Sequence, residues 1–253
     1  MAERLIAITL AFLSKTETMS CLLTGGGNGI LRQIKNSSLD LSKVHDIVVT
    51  HNHTDHILGI VWVLRDLVKT IRFDTSYIGK CNVFASEITI QALNILCDLL
   101  FNAKMKATLK DCVIFNIVKD KESKTIANME ITFFDVKSRT DYQLAFTLNE
   151  EICFCGDEPL KEENFHYATN CKWLLHEAFC LENEKEQFKP HEKMHITVKE
   201  AAEIAQEVNA TNLILWHTED NDLKNRKKLY TAEAKRYFNG NIFIPNDLER
   251  IEL

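Results

Sequence analysis

The chain has 253 residues, of which 45% are hydrophobic and 26% are charged, and its formal net charge is -6. This acidic balance disfavours a dedicated nucleic-acid-binding protein, because such proteins usually carry a basic face. Only three prolines occur and no Pro/Gly/Ser-rich linker is visible, so we expect a single domain over residues 1–253.

Eight cysteines are scattered along the chain without a CxxC pair. We therefore expect reduced thiols and a cytoplasmic location. The apolar run 5–13 resembles a short signal-peptide core, but no small-x-small cleavage site follows it. The run is also too short to span a bilayer, and we expect no membrane partner. We predict a buried strand there, with a processed segment as the open alternative.

Apolar periodicity predicts alternating strands and helices along the chain. In order, we predict strands at 5–13 and 19–24, a helix from 30, a strand at 46–49, a helix at 57–71, a strand at 83–84, a helix at 87–101, strands at 113–118, 129–136, 143–148 and 151–155, a helix at 160–168, a strand at 173–175, a helix at 197–208, a strand at 213–216, a helix at 222–238 and a strand at 242–244.

Three sequence features predict particular turns and helix ends. The run from Gly25 to Gly29 indicates a turn with positive φ or a close backbone approach, beside the active site. Thr197 with Glu200 three residues later is typical of a capping box at a helix start. A natural helix C-cap is predicted at 239–240.

The segment 50–56 carries three imidazoles and one carboxylate between a predicted strand and a predicted helix. These side chains belong to His51, His53, Asp55 and His56. Imidazole nitrogen and carboxylate oxygen are the donors that zinc accepts in proteins. The segment therefore predicts a metal site at the end of a strand.

Further ligand-type residues follow other predicted strands. Asp157, His176 and His217 each come directly after a buried apolar run or its closing glycine. Side chains at the carboxyl ends of buried strands converge on one edge of an α/β protein. These residues are therefore candidates to complete the site.

The spacing His51-x-His53-x-Asp55-His56 resembles the signature of the metallo-β-lactamase superfamily. The later segments 156–157, 176–178, 195–197 and 215–217 resemble, in order and spacing, motifs of its ribonuclease Z branch. This resemblance covers the chain from about Thr24 onward. It implies an α/β fold, a four-layer αβ/βα sandwich, which also fits the order of predicted elements.

The resemblance also implies the ligand set. The metals would be one or two Zn²⁺ ions, with Mn²⁺ as an alternative, and a homodimer is compatible with the family. The ligands would be His51 and His53 for the first ion, Asp55, His56 and His217 for the second, and Asp157 as the bridge.

The resemblance likewise implies a catalytic role for Asp55, His195 and Glu177. A metal-bound hydroxide would attack phosphorus, and His195 would protonate the leaving oxygen as general acid. Glu177 would orient His195 and stabilise its charged form. For His176 we expect a structural role.

Two positions depart from the family pattern. Lys137 stands where a third histidine of the first metal site is expected, and Leu23 stands where an aspartate usually braces the metal loop. A protonated lysine is not a metal ligand. We therefore expect the first site to be weak, or empty with the ammonium partly replacing the charge of the ion.

The leading hypothesis is a phosphodiesterase of ribonuclease Z type, acting on RNA or a small nucleotide. The acidic charge and the lack of a visible Gly/Pro-rich basic arm between 57 and 134 make a small phosphodiester, such as a cyclic nucleotide, a competing substrate. One alternative is a hydrolase of a thioester, lactone or other small-molecule bond on the same fold. A further alternative is a degenerate paralogue with one structural metal.

Overall fold

The computed structural model describes residues 4–8, 11–15, 20–23, 27, 29–37, 40–73, 77, 79–219 and 221–252. These residues form fourteen strands and eight α-helices. The strands are β1 (Arg4–Ile8), β2 (Ala11–Lys15), β3 (Ser20–Leu23), β4 (Val44–Val49), β5 (Cys81–Ala85), β6 (Val113–Ile117), β7 (Ser123–Ile126), β8 (Met129–Asp135), β9 (Leu144–Leu148), β10 (Ile152–Phe154), β11 (Trp173–Glu177), β12 (Asn212–Trp216), β13 (Asn241–Phe243) and β14 (Arg250–Glu252).

The α-helices have between four and twenty residues. They are α1 (Ile30–Asn36), α2 (Thr54–Phe73), α3 (Glu87–Leu100), α4 (Ala103–Cys112), α5 (Phe165–Ala168), α6 (Lys185–Phe188), α7 (Val198–Glu207) and α8 (Leu223–Ala234). No helix in the described ranges is both long and apolar enough to cross a membrane.

The chain divides into two compact units. Unit 1 consists of Met1–Lys119, Ile126–Asn128 and Asp247–Leu253, and unit 2 consists of Asp120–Thr125 and Met129–Asn246. Each unit has its own cluster of buried apolar side chains. The expectation of a single domain over the whole chain stays a prediction.

The sheet of unit 1 has the strand order β14-β1-β2-β3-β4-β5-β6. Strands β3 to β6 run parallel, and five of the six residues of β4 are buried, which explains the apolar run Ile47–Val49 at its end. Helix α2 buries Ile60, Val63, Leu64 and Leu67, which share one helical face. The segment 50–56 begins directly after the end of β4 and continues into the first turn of α2.

The prediction of a single strand over 5–13 is wrong. Within this run the structure describes two strands, β1 and β2, which pair antiparallel with Arg4 aligned with Lys15 and Ile8 with Ala11. Continuous apolar residues without a glycine or proline gave no sign of the reversal. Residues 9–10 lie outside the described residues.

The sheet of unit 2 has the strand order β13-β12-β11-β10-β9-β8-β7. Its strands β10 to β13 are parallel, whereas β8, β9 and β10 pair antiparallel. The predicted hairpin at Asn149 and Glu150 is present, and both residues have positive φ, at 49° and 59°. The predicted cap of α7 is also present, because Thr197 and Glu200 form a capping box.

Other boundaries in unit 2 differ from prediction. The helix predicted at 160–168 is only a 3₁₀ turn at Glu162–Asn164 followed by the four residues of α5. Helix α8 ends at Ala234, so the predicted C-cap at 239–240 is wrong. A Cβ on Gly240 would lie 2.5 Å from the carbonyl oxygen of Thr211, which explains the glycine by close packing.

Candidate metal centre

The ligand-type side chains of unit 1 converge at the junction of β4 and α2. The ring centroid of His51 lies 4.4 Å from that of His53 and 4.2 Å from that of His56. Asp55 contributes Oδ2 at 3.8 Å from His56 Nε2. His51 and His56 are fully buried, whereas the Asp55 side chain is partly exposed. The structure thus brings together the four residues that the motif predicts.

Local structure fixes the shape of this group. The His53 carbonyl accepts hydrogen bonds from the amides of His56 and Ile57, which begins the first turn of α2. The buried Thr50 hydroxyl lies 3.0 Å from His51 Nδ1, so Nε2 is the nitrogen of that ring that can ligate a metal.

The glycine-rich run lies against the same group. A Cβ on Gly27 would lie only 2.9 Å from the Asp55 carbonyl oxygen, and Gly29 caps α1 with a φ of 87°. The predicted close approach and the predicted positive φ are therefore both present among the described glycines of this run. Leu23, at the second departing position, is aligned with Val48 in the strand that leads to the motif.

Unit 2 contributes a second group of ligand-type residues at the ends of its parallel strands. Asp157 is buried and follows β10 after Gly156, which has a φ of 80°. His217 directly follows β12 with a φ of 50°. Its Nε2 lies 3.5 Å from Asp157 Oδ2, a separation that two ligands of one ion can have.

His195 lies next to this pair. Its Nδ1 is 3.0 Å from the Asp157 carbonyl oxygen, and its ring centroid is 4.8 Å from that of His217. Since a carbonyl only accepts, Nδ1 carries the proton in this hydrogen bond. Nε2 is then the nitrogen that can face a substrate.

Glu177 has a different main contact from the one we expected. Its Oε1 accepts a hydrogen bond of 2.8 Å from the Ile196 amide, whereas its Oε2 is 3.6 Å from His195 Nδ1. The fully buried carboxylate therefore anchors the backbone next to His195, and the Asp157 carbonyl orients the ring. Burial raises the pKa of Glu177 well above its usual value.

The pKa of His195 is lowered to about 4, first by burial and then by the neighbouring His217. An anionic group beside Nε2 opposes this lowering, because it favours the charged imidazolium. A phosphodiester carries such a negative charge.

His176 is held entirely by the backbone of its surroundings. Its Nε2 accepts a hydrogen bond from the Leu160 amide at 3.1 Å, and its Nδ1 is 2.8 Å from the Glu177 carbonyl oxygen. Burial lowers the pKa of His176 to about 4, so the ring is neutral. Both observations agree with a structural role.

Lys137 does not carry a free ammonium. Its Nζ is 3.0 Å from Asp135 Oδ2 and 3.6 Å from Asp120 Oδ2, and its own carbonyl contacts the Lys161 ammonium. The hydrogen bond that the Lys137 ammonium donates to Asp135 raises the pKa of Lys137. Two carboxylates thus pair with this ammonium, and the expectation that it replaces the charge of a metal ion stays a prediction.

The donor atoms of both groups fit a metal. Zinc accepts imidazole nitrogen and carboxylate oxygen, and Mn²⁺ also accepts carboxylates. Unit 1 offers three imidazoles and a carboxylate at the end of one strand, and unit 2 offers Asp157 and His217 in mutual contact. Each group therefore has the chemistry of a metal half-site.

Two side chains of this region were missed in the sequence. Thr50 orients His51, and the Phe179 ring stacks on His195 at 4.8 Å with an interplanar angle of 11°. The only sign of these residues in the sequence is their position next to a motif. Thr50 directly precedes His51, and Phe179 directly follows His176-Glu177-Ala178.

Comparisons with known proteins place the chain among metallo-β-lactamase fold proteins. The model of the family described as anti-Pycsar protein Apyc1 matches residues 10–246. Ribonuclease Z of Prochlorococcus marinus (strain MIT 9515) is 26% identical over 258 residues, covering 81% of this chain and 80% of the relative.

Two solved structures have the same fold. The metallo-β-lactamase fold protein YhfI from Bacillus subtilis has a TM-score of 0.81 at 16% identity, with 100% of both chains covered. Human tRNase Z, short form, has a TM-score of 0.70 at 17% identity, covering 97% of this chain and 93% of the other. The predicted resemblance to a ribonuclease Z-like branch and the predicted α/β fold class are confirmed.

Proposed function

This chain belongs to the family described as anti-Pycsar protein Apyc1, and we propose that it is a metal-dependent phosphodiesterase that acts on a small phosphodiester such as a cyclic nucleotide. It has the metallo-β-lactamase fold and ribonuclease Z-like relatives. The observation that carries the proposal is the position of His195 beside the Asp157–His217 pair, with Nδ1 bound by a carbonyl.

The proposed metal ligands are those of the two half-sites. His51 and His53 would hold one ion, Asp55, His56 and His217 the other, and Asp157 would contribute to both. When bound, such ions polarise a phosphoryl oxygen and lower the pKa of water toward neutrality. His51 and His56 in unit 1 and Asp157 in unit 2 are buried, so each proposed half-site is shielded from bulk water by its own unit.

His195 supplies the proton in this proposal. Its Nδ1 donates to the Asp157 carbonyl, so Nε2 of the imidazolium donates to the leaving oxygen of the substrate. Glu177 holds the Ile196 amide and thereby the backbone next to His195. Such an acid matters most when the leaving group is an alkoxide, which is the case for RNA and for cyclic nucleotides.

Two observations support a small substrate over tRNA. In the described part of the segment between α2 and β8, the elements β5, α3, α4, β6 and β7 follow one another without a long insertion that could grip RNA. The chain also has a net charge of -6, whereas affinity for RNA depends on neutralising many phosphates with lysine and arginine.

Lys137 favours a second candidate, a paralogue that binds one structural metal. Its ammonium is committed to Asp135 and Asp120 and cannot ligate an ion. The alternative to the proposed function is therefore a one-metal protein without phosphodiesterase activity.

Metal content and turnover separate these candidates. We expect about one tightly held Zn²⁺ per natural chain by elemental analysis, and a second with higher turnover in Lys137→His. On 3′,5′-cyclic nucleotides, His195→Ala should lower turnover roughly 100-fold with unchanged metal content.

Three results would redirect the proposal. Two metals per natural chain would remove the interpretation of Lys137. Cleavage of precursor tRNA but not of cyclic nucleotides would replace the substrate class. Failure on all phosphodiesters, with either Zn²⁺ or Mn²⁺, together with cleavage of a thioester or lactone, would replace the function by another hydrolysis on this fold.

A further inference from the structure

We infer that Phe179 is a positioning residue that fixes the plane of the His195 ring; the inference rests on the proposed role of His195 as general acid. The two rings are nearly parallel, with an interplanar angle of 11° and a centroid separation of 4.8 Å. The contact is a stacked aromatic pair, the arrangement that holds two rings in a common orientation.

The other contacts of His195 are those at Nδ1 and a tilted contact with the His217 ring, at a centroid distance of 4.8 Å and an interplanar angle of 37°. Neither is a parallel contact that would set the plane of the ring. Nδ1 has one short contact, to the Asp157 carbonyl oxygen at 3.0 Å, and Glu177 is farther away at 3.6 Å. A single hydrogen bond at Nδ1 fixes a direction but lets the ring tilt about it. A parallel aromatic ring fixes the tilt, and with it the direction of Nε2.

The backbone of Phe179 is itself held from three segments of unit 2. Its amide donates to the Ile196 carbonyl at 2.9 Å, and its carbonyl accepts from the Tyr230 hydroxyl at 2.9 Å and the Glu219 amide at 2.7 Å. The bond to Ile196 ties Phe179 directly to the residue after His195. The ring is thus placed by a rigid backbone and can serve as a fixed surface.

The Phe179 ring has two further partners. The Lys193 ammonium lies 4.6 Å from its centroid, within range of a cation–π interaction, and Phe188 meets it edge-on at 6.5 Å. Phe188 is an aromatic neighbour of Phe179, whereas the ring contacts of His195 within the described residues are with Phe179 and His217. Phe188 offers a matched control for the loss of an aromatic ring.

The expected effect follows from the geometry that proton transfer needs. A misplacement of about 1 Å can lower a rate roughly 100-fold, and tilting the acid is a smaller disturbance than removing it. We expect Phe179→Leu to lower kcat about 10-fold on a 3′,5′-cyclic nucleotide, with less than about a threefold change in KM. Phe179→Tyr keeps the stacked ring and should stay within about twofold of the natural protein.

The leaving group separates positioning of the acid from other damage. Bis(p-nitrophenyl) phosphate releases a nitrophenolate, which needs little protonation. On this substrate Phe179→Leu should lose less than about threefold, and Phe188→Leu should behave like the natural protein on both substrates. Equal losses of Phe179→Leu on the two substrates, or no loss on either, would overturn the inference.

A second readout does not depend on activity. In the metal-free protein, the ring protons of His195, assigned by their loss in His195→Ala, should shift in NMR spectra of Phe179→Leu because the ring current of Phe179 is removed. They should stay in place in Phe179→Tyr and Phe188→Leu. Unshifted His195 signals in Phe179→Leu contradict the stack itself, even if the natural protein cleaves no phosphodiester.

The two possible failures are therefore distinct. If the natural protein is inactive on both substrates but the NMR shifts appear, the proposed function is wrong and the catalytic role of Phe179 falls with it, while the stack stands. If the natural protein is active and the shifts or the substrate dependence are absent, the inference alone is wrong. Circular dichroism checks folding, and Phe179→Met replaces Phe179→Leu in the same test if the leucine variant is unfolded.

Discussion

The two ligand groups of this protein are built in opposite ways. In unit 1 the four residues of the group lie within six consecutive positions, from His51 directly after the end of β4 to His56 in the first turn of α2. In unit 2 the group is assembled from the ends of β10 and β12 and from the segment before α7, which are far apart in sequence. The first is local and the second depends on tertiary structure.

This difference determines how each group is held. The local group is shaped by the first turn of α2 and by the close approach of Gly27 to Asp55. The dispersed group meets because β10, β11 and β12 are adjacent and parallel, so their carboxyl ends lie at one edge of the sheet. We expect the dispersed group to be the more sensitive to changes in its supporting hydrogen bonds.

The variant with the largest expected effect tests the proposal that both groups bind the same ions. Asp157→Asn removes a carboxylate of the dispersed group and should lower phosphodiester turnover at least about 100-fold, with loss of bound metal. Elemental analysis and turnover on a cyclic nucleotide measure the effect.

The neighbouring Glu158 provides the control for that variant. Its buried carboxylate accepts a hydrogen bond of 3.1 Å from Gln143, and Glu158→Gln can keep that bond. The control should retain its metal. Full metal content in Asp157→Asn would mean that the dispersed group does not bind the ions.

The next effect concerns stability in acid. His176 has a pKa of about 4 in the folded chain and about 6.5 when unfolded, so only the unfolded chain gains its proton between these values. Its contribution to stability is therefore fully present above pH 6.5 and falls by up to about 3 kcal/mol as the pH is lowered to 4.

His176→Gln isolates this contribution, because glutamine can both accept from Leu160 and donate to the Glu177 carbonyl. Denaturant unfolding at pH 7, 6, 5 and 4 should show a smaller loss of stability in the variant than in the natural protein. Parallel pH curves for the two proteins would show that His176 titrates alike in both states.

The local group can be disturbed through its glycine. In Gly27→Ala the new Cβ meets the Asp55 carbonyl at 2.9 Å, so the backbone must shift, at a cost of about 1–3 kcal/mol. Asp55 would move with it, and we expect weaker metal binding as well as lower stability.

Gly29→Ala is the matched control in the same run. Nothing lies within 4 Å of its Cβ position, but its φ of 87° is strained for alanine, at a cost of about 1 kcal/mol. Thermal melts and Zn²⁺ titrations should separate the two, with altered metal affinity only for Gly27→Ala. Equal metal affinity in both variants would show that the glycine contact does not shape the local group.

The same contrast explains what the sequence could reveal. The motif 50–56, the hairpin at 149–150 and the capping box of α7 are local patterns, and all three were predicted from neighbouring residues. Helix α4 was missed because only Leu109 of its ten residues is buried, which leaves no periodic apolar face. The Phe179–His195 stack joins two segments that meet only in the folded chain, so no local pattern signals it.

The smallest expected effect comes from removing one helix cap in each unit. Ser86 caps α3 in unit 1, and Thr197 caps α7 in unit 2, where its hydroxyl also donates to Glu182 at 2.9 Å. Replacing either by alanine removes a cap and should cost about 1 kcal/mol of stability. The loss of the cap is thus common to both variants, and Thr197→Ala also removes the hydrogen bond to Glu182.

They should differ in activity, because only Thr197 adjoins the dispersed group. It follows Ile196, whose amide bonds to Glu177, and lies two residues after His195. Since the cap fixes where this segment turns into α7, we expect Thr197→Ala to lower kcat by roughly two- to fivefold, a small part of the loss caused by misplacing an acid. Ser86→Ala should leave kcat unchanged. Equal kcat values for the two variants would mean that the dispersed group tolerates loosening of the start of α7.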